Sequence, residues 1–231
     1  MSGSTVTLTS FDGQEFSAYL AKGGDAGAPG IVILQEIFGI NAFVRTAADR
    51  FAAAGYNAVA PDLFWRQQPG IELNPGSEED RNRAMGLMQG LDEPTAIRDS
   101  LTAATYLRDN LGCQHVGAVG YCLGGKLAYL IAMQSEIEAS VAYYGVAINS
   151  VLAQADTIRA PLLLHIAGDD QLCPPEAQQQ IVSVLEPRGV KIITHPGAGH
   201  GFARYNSPAY NATAADAADS ATIAFLAAHL K

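Results

Sequence analysis

His115-Val116-Gly117-Ala118-Val119-Gly120-Tyr121-Cys122-Leu123-Gly124-Gly125 is an apolar run that ends on a glycine, turns through Tyr121-Cys122 and passes into a helical pattern beginning at Leu123. A strand that turns into a helix this abruptly holds its central residue in a strained backbone conformation, and small residues two positions to either side let strand and helix approach closely. Gly120 and Gly124 meet that demand. The turn lifts the Cys122 sulfur to the end of the sheet, where the N-terminus of the following helix favours negative charge and so thiolate over thiol. The stretch reads as a nucleophile elbow built around cysteine; the plainer alternative is a buried structural Cys before a glycine-rich turn.

Working outward, short apolar runs at 31–34, 57–60, 115–120, 139–144, 161–167 and 190–195 alternate with helical periodicity at about 42–54, 78–89, 94–111, 123–134, 175–187 and 213–230. That alternation predicts an α/β fold with a mostly parallel central sheet and helices on both faces. Residues 4–9 and 15–20 carry β-type residues on either side of Asp12-Gly13, which predicts an antiparallel N-terminal hairpin. Asn41 and Ser77 are candidate helix N-caps, and Gly55 and Gly112 candidate stops. The stretch Phe64 to Pro75 has no period, and a loop of that length in a compact domain is expected to border a site.

The chain has 231 residues, 48% of them hydrophobic and 16% charged, enough apolar matter for one large core. No linker or charge run divides it, so a single domain over 1–231 is expected. A net charge of -9 repels polyanions and argues against nucleic-acid partners. Three cysteines, 113, 122 and 173, are too few and odd in number for a disulfide framework, which points to a reducing, cytoplasmic setting. Neither a leader-like N-terminus nor an apolar run long enough for a membrane span is present, and no apolar seam argues against a monomer. Metal-ligand spacings and a phosphate-binding glycine loop are absent, so neither metal nor other cofactor is expected.

A thiol nucleophile on this scaffold needs an acid and a histidine further along the chain, each at the carboxyl end of a strand. The strand at Leu162 to Ala167 is followed by Gly168-Asp169-Asp170, and the strand ending at His195 is followed by Gly199-His200-Gly201. The expected relay is Cys122, His200, Asp170, with Asp169 as the rival acid. His165, inside an apolar strand, reads as a hydrogen-bonded core side chain. Glu36, in Gln35-Glu36-Ile37-Phe38-Gly39, is an acid at the end of an apolar strand, placed to act as a gatekeeper of the thiol or, more plainly, as a solvated loop carboxylate. The amides of Ile37 and Leu123 stand where α/β-hydrolases place the oxyanion hole.

These residues resemble the dienelactone hydrolases (carboxymethylenebutenolidases), a family of the α/β-hydrolase fold, over nearly the whole chain. The likeness is densest in Gln35 to Phe43, Pro61-Asp62-Leu63 with Arg66-Gln67 and Pro69-Gly70, Gly120 to Gly125, Tyr143 to Val146, and Gly199-His200 with Phe202-Ala203-Arg204. It implies Cys122 as nucleophile, His200 and Asp170 as its partners, and Glu36 as the carboxylate that holds the thiol until substrate arrives. It also implies that Arg66 and Arg204 clamp the carboxylate of a small lactone or ester, which guanidinium does in bidentate fashion. The implied reaction is the opening of 4-carboxymethylenebut-2-en-4-olide to maleylacetate in aromatic degradation. A broader carboxylesterase or thioesterase with the same relay, and a non-catalytic carboxylate-binding relative, are the alternatives.

Overall fold

The computed structural model describes residues 3–25, 27–205 and 207–230. In chain order the elements are β1 (Ser4–Thr9), β2 (Glu15–Lys22), β3 (Gly30–Leu34), α1 (Ala42–Ala53), β4 (Asn57–Pro61), α2 (Glu78–Gln89), α3 (Glu93–Leu111), β5 (Val116–Tyr121), α4 (Leu123–Ile131), β6 (Ala139–Tyr143), β7 (Leu162–Ala167), α5 (Pro175–Leu185), β8 (Lys191–His195) and α6 (Ala212–His229). The strands form an eight-stranded sheet in the order β1-β2-β4-β3-β5-β6-β7-β8. Every residue of β3, β4, β5, β6 and β7 is buried, as expected of strands covered on both faces. The chain divides into two compact units, one ending at Ala118 and the other spanning Val119–Leu230, and the division falls inside β5 rather than at a linker.

In the first unit, β1 and β2 pair antiparallel with Thr9 opposite Glu15, and the Gly13 amide closes the turn on the Ser10 carbonyl at 2.9 Å with φ +82°. The antiparallel character extends one strand further than expected, because β2 also pairs antiparallel with β4, whereas β3 and β4 run parallel. Asn41 caps α1 by accepting from the Phe43 and Val44 amides, and the helix buries Phe43, Val44, Ala47, Ala48 and Phe51. Ser77 caps α2 by accepting from the Asp80 amide, and Gly112 ends α3 in the left-handed conformation. The aperiodic stretch 64–75 is held in place through its amides: that of Leu73 donates to Phe38 O, and the Asp62 carboxylate accepts from those of Phe64 and Gly70.

The second unit is fully parallel from β6 through β8, with Tyr143 opposite His165 and Ala167 opposite His195. A 3-10 helix at Ile148–Thr157 was not expected from the sequence; only Ile148 and Ala155 are buried in it, so no apolar stripe of helical period marks it. Among the described residues no helix is long and apolar enough to cross a membrane.

Candidate active site

Cys122 occupies the turn between β5 and α4 with φ +56° and ψ -113°, a conformation unfavourable to any L-residue and held only where the surroundings dictate it. The surroundings are backbone. The Cys122 amide donates to Tyr143 O at 3.0 Å, and its carbonyl accepts from the Lys126 and Val146 amides. The strand and helix approach so closely at this bend that a Cβ on Gly120 would lie 1.8 Å from Gly124 O, and one on Gly125 would lie 2.7 Å from Tyr143 O. Gly120 therefore has the role its spacing predicts, and Gly125 adds a second close approach. Leu123, the first residue of α4, presents one of the helix's N-terminal amides, which have no acceptor within the helix.

The two loops that leave β7 and β8 meet. His200 Nδ1 lies 2.8 Å from Asp170 Oδ2, while Asp170 Oδ1 accepts from the Leu172 amide at 2.8 Å. Asp170 is buried and its neighbour Asp169 exposed, so of the two candidate acids it is Asp170 that orients the imidazole. Burial alone would drive His200 toward the neutral form, but the Asp170 hydrogen bond and the adjacent Cys122 sulfur outweigh it and push the pKa up to about 10. His200 Nε2 is buried and makes no hydrogen bond of ordinary geometry, yet Cys122 is close enough to raise its proton affinity. The imidazole edge packs against the Tyr144 ring at 5.1 Å, and Tyr144 is itself held at φ +38°.

Arg204 belongs to the same loop. Its amide donates to Gly201 O, and its guanidinium folds over Gly201, where a Cβ would lie 2.9 Å from Nη2. A side chain at 201 would push that cation away, so the glycine following the histidine sets where the charge sits.

Arg66 has a different setting from the one the resemblance implies. Its guanidinium donates from Nε and Nη2 to the two oxygens of Asp99 at 3.0 and 3.1 Å, from Nη1 to Asp12 at 2.6 Å and from Nη2 to Ser10 Oγ at 2.6 Å, and it stacks on Trp65. The Arg66 guanidinium holds the Asp12 carboxyl down at about 2. Asp99, 2% exposed, also accepts from Ser10 Oγ and Trp65 Nε1. With two carboxylates already balancing it, Arg66 is the centre of an internal ion cluster and offers no net positive charge to a substrate anion, a different setting from the expected carboxylate clamp. A sequence displays the charge of Arg66 but not the neighbours that neutralise it.

Glu36 lies just past the end of β3, fully buried, and so is not the solvated carboxylate of the plainer alternative. Ile37 follows it in the loop leading to α1, half-buried. Cys113, Cys122 and Cys173 are free and buried. Burial, with Asp170 nearby, pushes the Cys173 thiol up to about 11, which suits a structural cysteine at the rim of the acid loop. No cluster of three or more metal-ligating side chains occurs among the described residues.

Comparison with known proteins follows the same lines. The model of the dienelactone hydrolase family matches residues 16–230. A carboxymethylenebutenolidase of Pseudomonas putida is 38% identical over 224 residues, 96% of this chain and 95% of the relative. Carboxymethylenebutenolidase 1 of Cupriavidus pinatubonensis is 36% identical over 228 residues, again covering 96% and 95%. Among solved structures, a Klebsiella pneumoniae chain provisionally named a dienelactone hydrolase superposes with a TM-score of 0.87 at 24% identity, covering 97% of this chain and 98% of that one. A dienelactone hydrolase-like promiscuous phosphotriesterase from metagenomic libraries gives 0.79 at 19% identity with full coverage of both chains.

Proposed function

The chain belongs to the dienelactone hydrolase family and is a hydrolase of the α/β-hydrolase fold, and on that premise we propose that it opens a small carboxylated enol lactone by covalent catalysis through Cys122, His200 and Asp170. The observation that carries the reading is the His200 imidazole, bonded to Asp170 through Nδ1, with Cys122 on a strained elbow close enough to raise its proton affinity. Such an arrangement supplies a nucleophile, a base and an orienting acid in the chain order the fold uses.

In this scheme Arg204 binds the substrate carboxylate, and Glu36 accepts the Cys122 proton as substrate enters. The sulfur attacks the lactone carbonyl while the Ile37 and Leu123 amides hold the oxyanion. Collapse breaks the ring C–O bond and expels an enolate, which takes the proton of the His200 imidazolium to become the ketone of maleylacetate; Cys122 is left as an acyl-thioester, and Glu36 returns its proton to the sulfur once the thioester is hydrolysed. The charge history of the sulfur then governs the second half. His200 owes part of its high proton affinity to Cys122. Acylation cancels the charge on that sulfur, the His200 pKa falls, and the imidazole becomes a base able to activate the water that hydrolyses the thioester. The same residue is thus a cation beside the free thiolate and a base beside the acyl-enzyme.

The reading extends to a role in aromatic degradation within the reducing cytoplasm, where three free thiols persist. The test is turnover of dienelactone set beside that of simple aryl esters lacking a carboxylate. Cys122→Ala is expected to reduce turnover of both below about one-thousandth. Arg204→Ala is expected to raise KM for dienelactone about tenfold or more while leaving the neutral esters within about twofold. Full activity of Cys122→Ala would end the covalent scheme, and equal loss on both substrates in Arg204→Ala would remove the carboxylate anchor. A broad esterase without preference for the carboxylated lactone would show itself in the wild-type comparison.

A further inference from the structure

Behind the site lies a buried polar chain that the proposed reaction does not use. His195 Nε2 is 3.1 Å from His165 Nδ1; His165 Nε2 is 2.9 Å from Thr222 Oγ1; Thr222 Oγ1 is 2.7 Å from Tyr143 Oη; and Tyr143 Oη donates to Asp219 at 2.9 Å. His165 and Thr222 are at most 1% exposed, and Tyr143 is fully buried.

Counting protons gives the chain a single direction. Tyr143 has one proton, which goes to the Asp219 carboxylate, so Tyr143 Oη must accept from Thr222. Thr222 has one proton, now used, so its oxygen must accept from His165 Nε2–H. Burial, with His195 and Lys191 nearby, drives His165 to the neutral form, which leaves Nδ1 bare as the acceptor of His195 Nε2–H. Each tautomer is therefore imposed by the next group along, ending on a half-buried carboxylate of α6.

The first member of the chain stands at the seam between the two loops of the site. The His195 carbonyl accepts from the Gly168 and Ala198 amides, and Ala198 O accepts from the Asp169 amide, so the segment leading to Asp170 and the segment leading to His200 are zipped together from His195 onward. The His195 ring also packs on Phe202 at 4.9 Å, Phe202 on Tyr144 at 5.3 Å, and Tyr144 on His200 at 5.1 Å.

We propose that the directed hydrogen-bond chain His195–His165–Thr222–Tyr143–Asp219 is a positioning network that sets the His200–Asp170 contact, with Thr222 as its deciding link because its one hydroxyl joins the histidine half of the chain to the Tyr143–Asp219 half. The inference rests on the relay reading given above. Thr222→Val conserves shape and removes the link; Thr222→Ser conserves the link. Loosening the seam lengthens the His200–Asp170 bond and lowers the proton affinity of His200.

The test measures dienelactone kinetics and the His200 imidazole titration by NMR in both variants, with His200→Asn as a control. Thr222→Val is expected to lower kcat about tenfold with KM within about twofold and to move the His200 titration to lower pH by about half a unit or more. Thr222→Ser is expected to restore both. Tyr143→Phe, which cuts the chain one step further on, is the second variant if Thr222→Val does not fold, and it should change both readouts in the same direction. Folded Thr222→Val with unaltered kcat and an unmoved His200 titration overturns the network while leaving the relay standing. A fall in kcat without any His200 shift also overturns it, since a merely structural role would do that. An active His200→Asn overturns the relay itself and the inference with it.

Discussion

Acidification from pH 7 to pH 5 should weaken this protein through His165, and the size of the effect follows from its burial. The side chain is 1% exposed, and burial, reinforced by His195 and Lys191, holds its pKa at about 3 against an ordinary 6.5. A histidine with a lowered folded-state pKa binds its proton more readily when unfolded, so stability falls as pH drops below about 6.5 and the loss levels off near pH 3. At pH 7 about a quarter of the unfolded chain is protonated at this residue; at pH 5 nearly all of it is. The difference in bound protons over that interval corresponds to about 2 kcal/mol, taking about 1.4 kcal/mol per unit of pKa. His195, lowered by burial as well, adds in the same direction. The assay is urea unfolding at pH 7 and pH 5 for the wild type and for His165→Gln, which keeps hydrogen-bonding capacity but takes up no proton. The variant is less stable at pH 7, but its further loss on acidification should be smaller than the wild type's by about 2 kcal/mol. Equal losses in the two proteins would refute the argument, because they would mean that the buried histidine takes up its proton as easily folded as unfolded.

Three further outcomes are expected. Gly120→Ala places a methyl group 1.8 Å from Gly124 O, a backbone atom that cannot swing aside, and should cost several kcal/mol in chemical denaturation or prevent accumulation of soluble protein. Asp99→Ala strands the Arg66, Trp65 and Ser10 donors and should destabilise the fold by about 3 kcal/mol or more, read as a fall in Tm, whereas Arg66→Ala should lower Tm with dienelactone KM within about threefold of the wild type. His200 has the opposite sign from His165: its raised pKa gives stability that is complete below about 6.5 and lost as pH climbs toward about 10, so His200→Asn should flatten the decline in Tm between pH 7 and pH 10.

Elements governed by local chemistry were legible without coordinates. Strand β7, expected at 161–167, occupies Leu162–Ala167, and helix α2 has the expected bounds, because burial on both faces and side-chain capping by Ser77 act over a few neighbouring residues. The elbow was legible for the same reason: Gly120 and Cys122 answer a steric demand that spans four residues. The 3-10 helix at Ile148–Thr157 was not, having no apolar stripe to announce it.

What tertiary structure alone decided concerns charges and protons, whose energies depend on neighbours distant along the chain. Asp169 and Asp170 are indistinguishable as letters, and only the fold brings one of them within 2.8 Å of an imidazole 30 residues away. Arg66 reads as a free cation until Asp12 and Asp99, 54 and 33 residues distant, are seen to neutralise it. His165 was legible as a core histidine, yet its tautomer depends on Thr222, 57 residues on, and through it on Tyr143 and Asp219. Sequence by itself determined most strand and helix bounds and the elbow at Cys122, because steric and hydrophobic patterns are local. The protonation and partners of the charged groups were set by folding, because electrostatic energy in a dry interior is fixed by whatever the chain brings close.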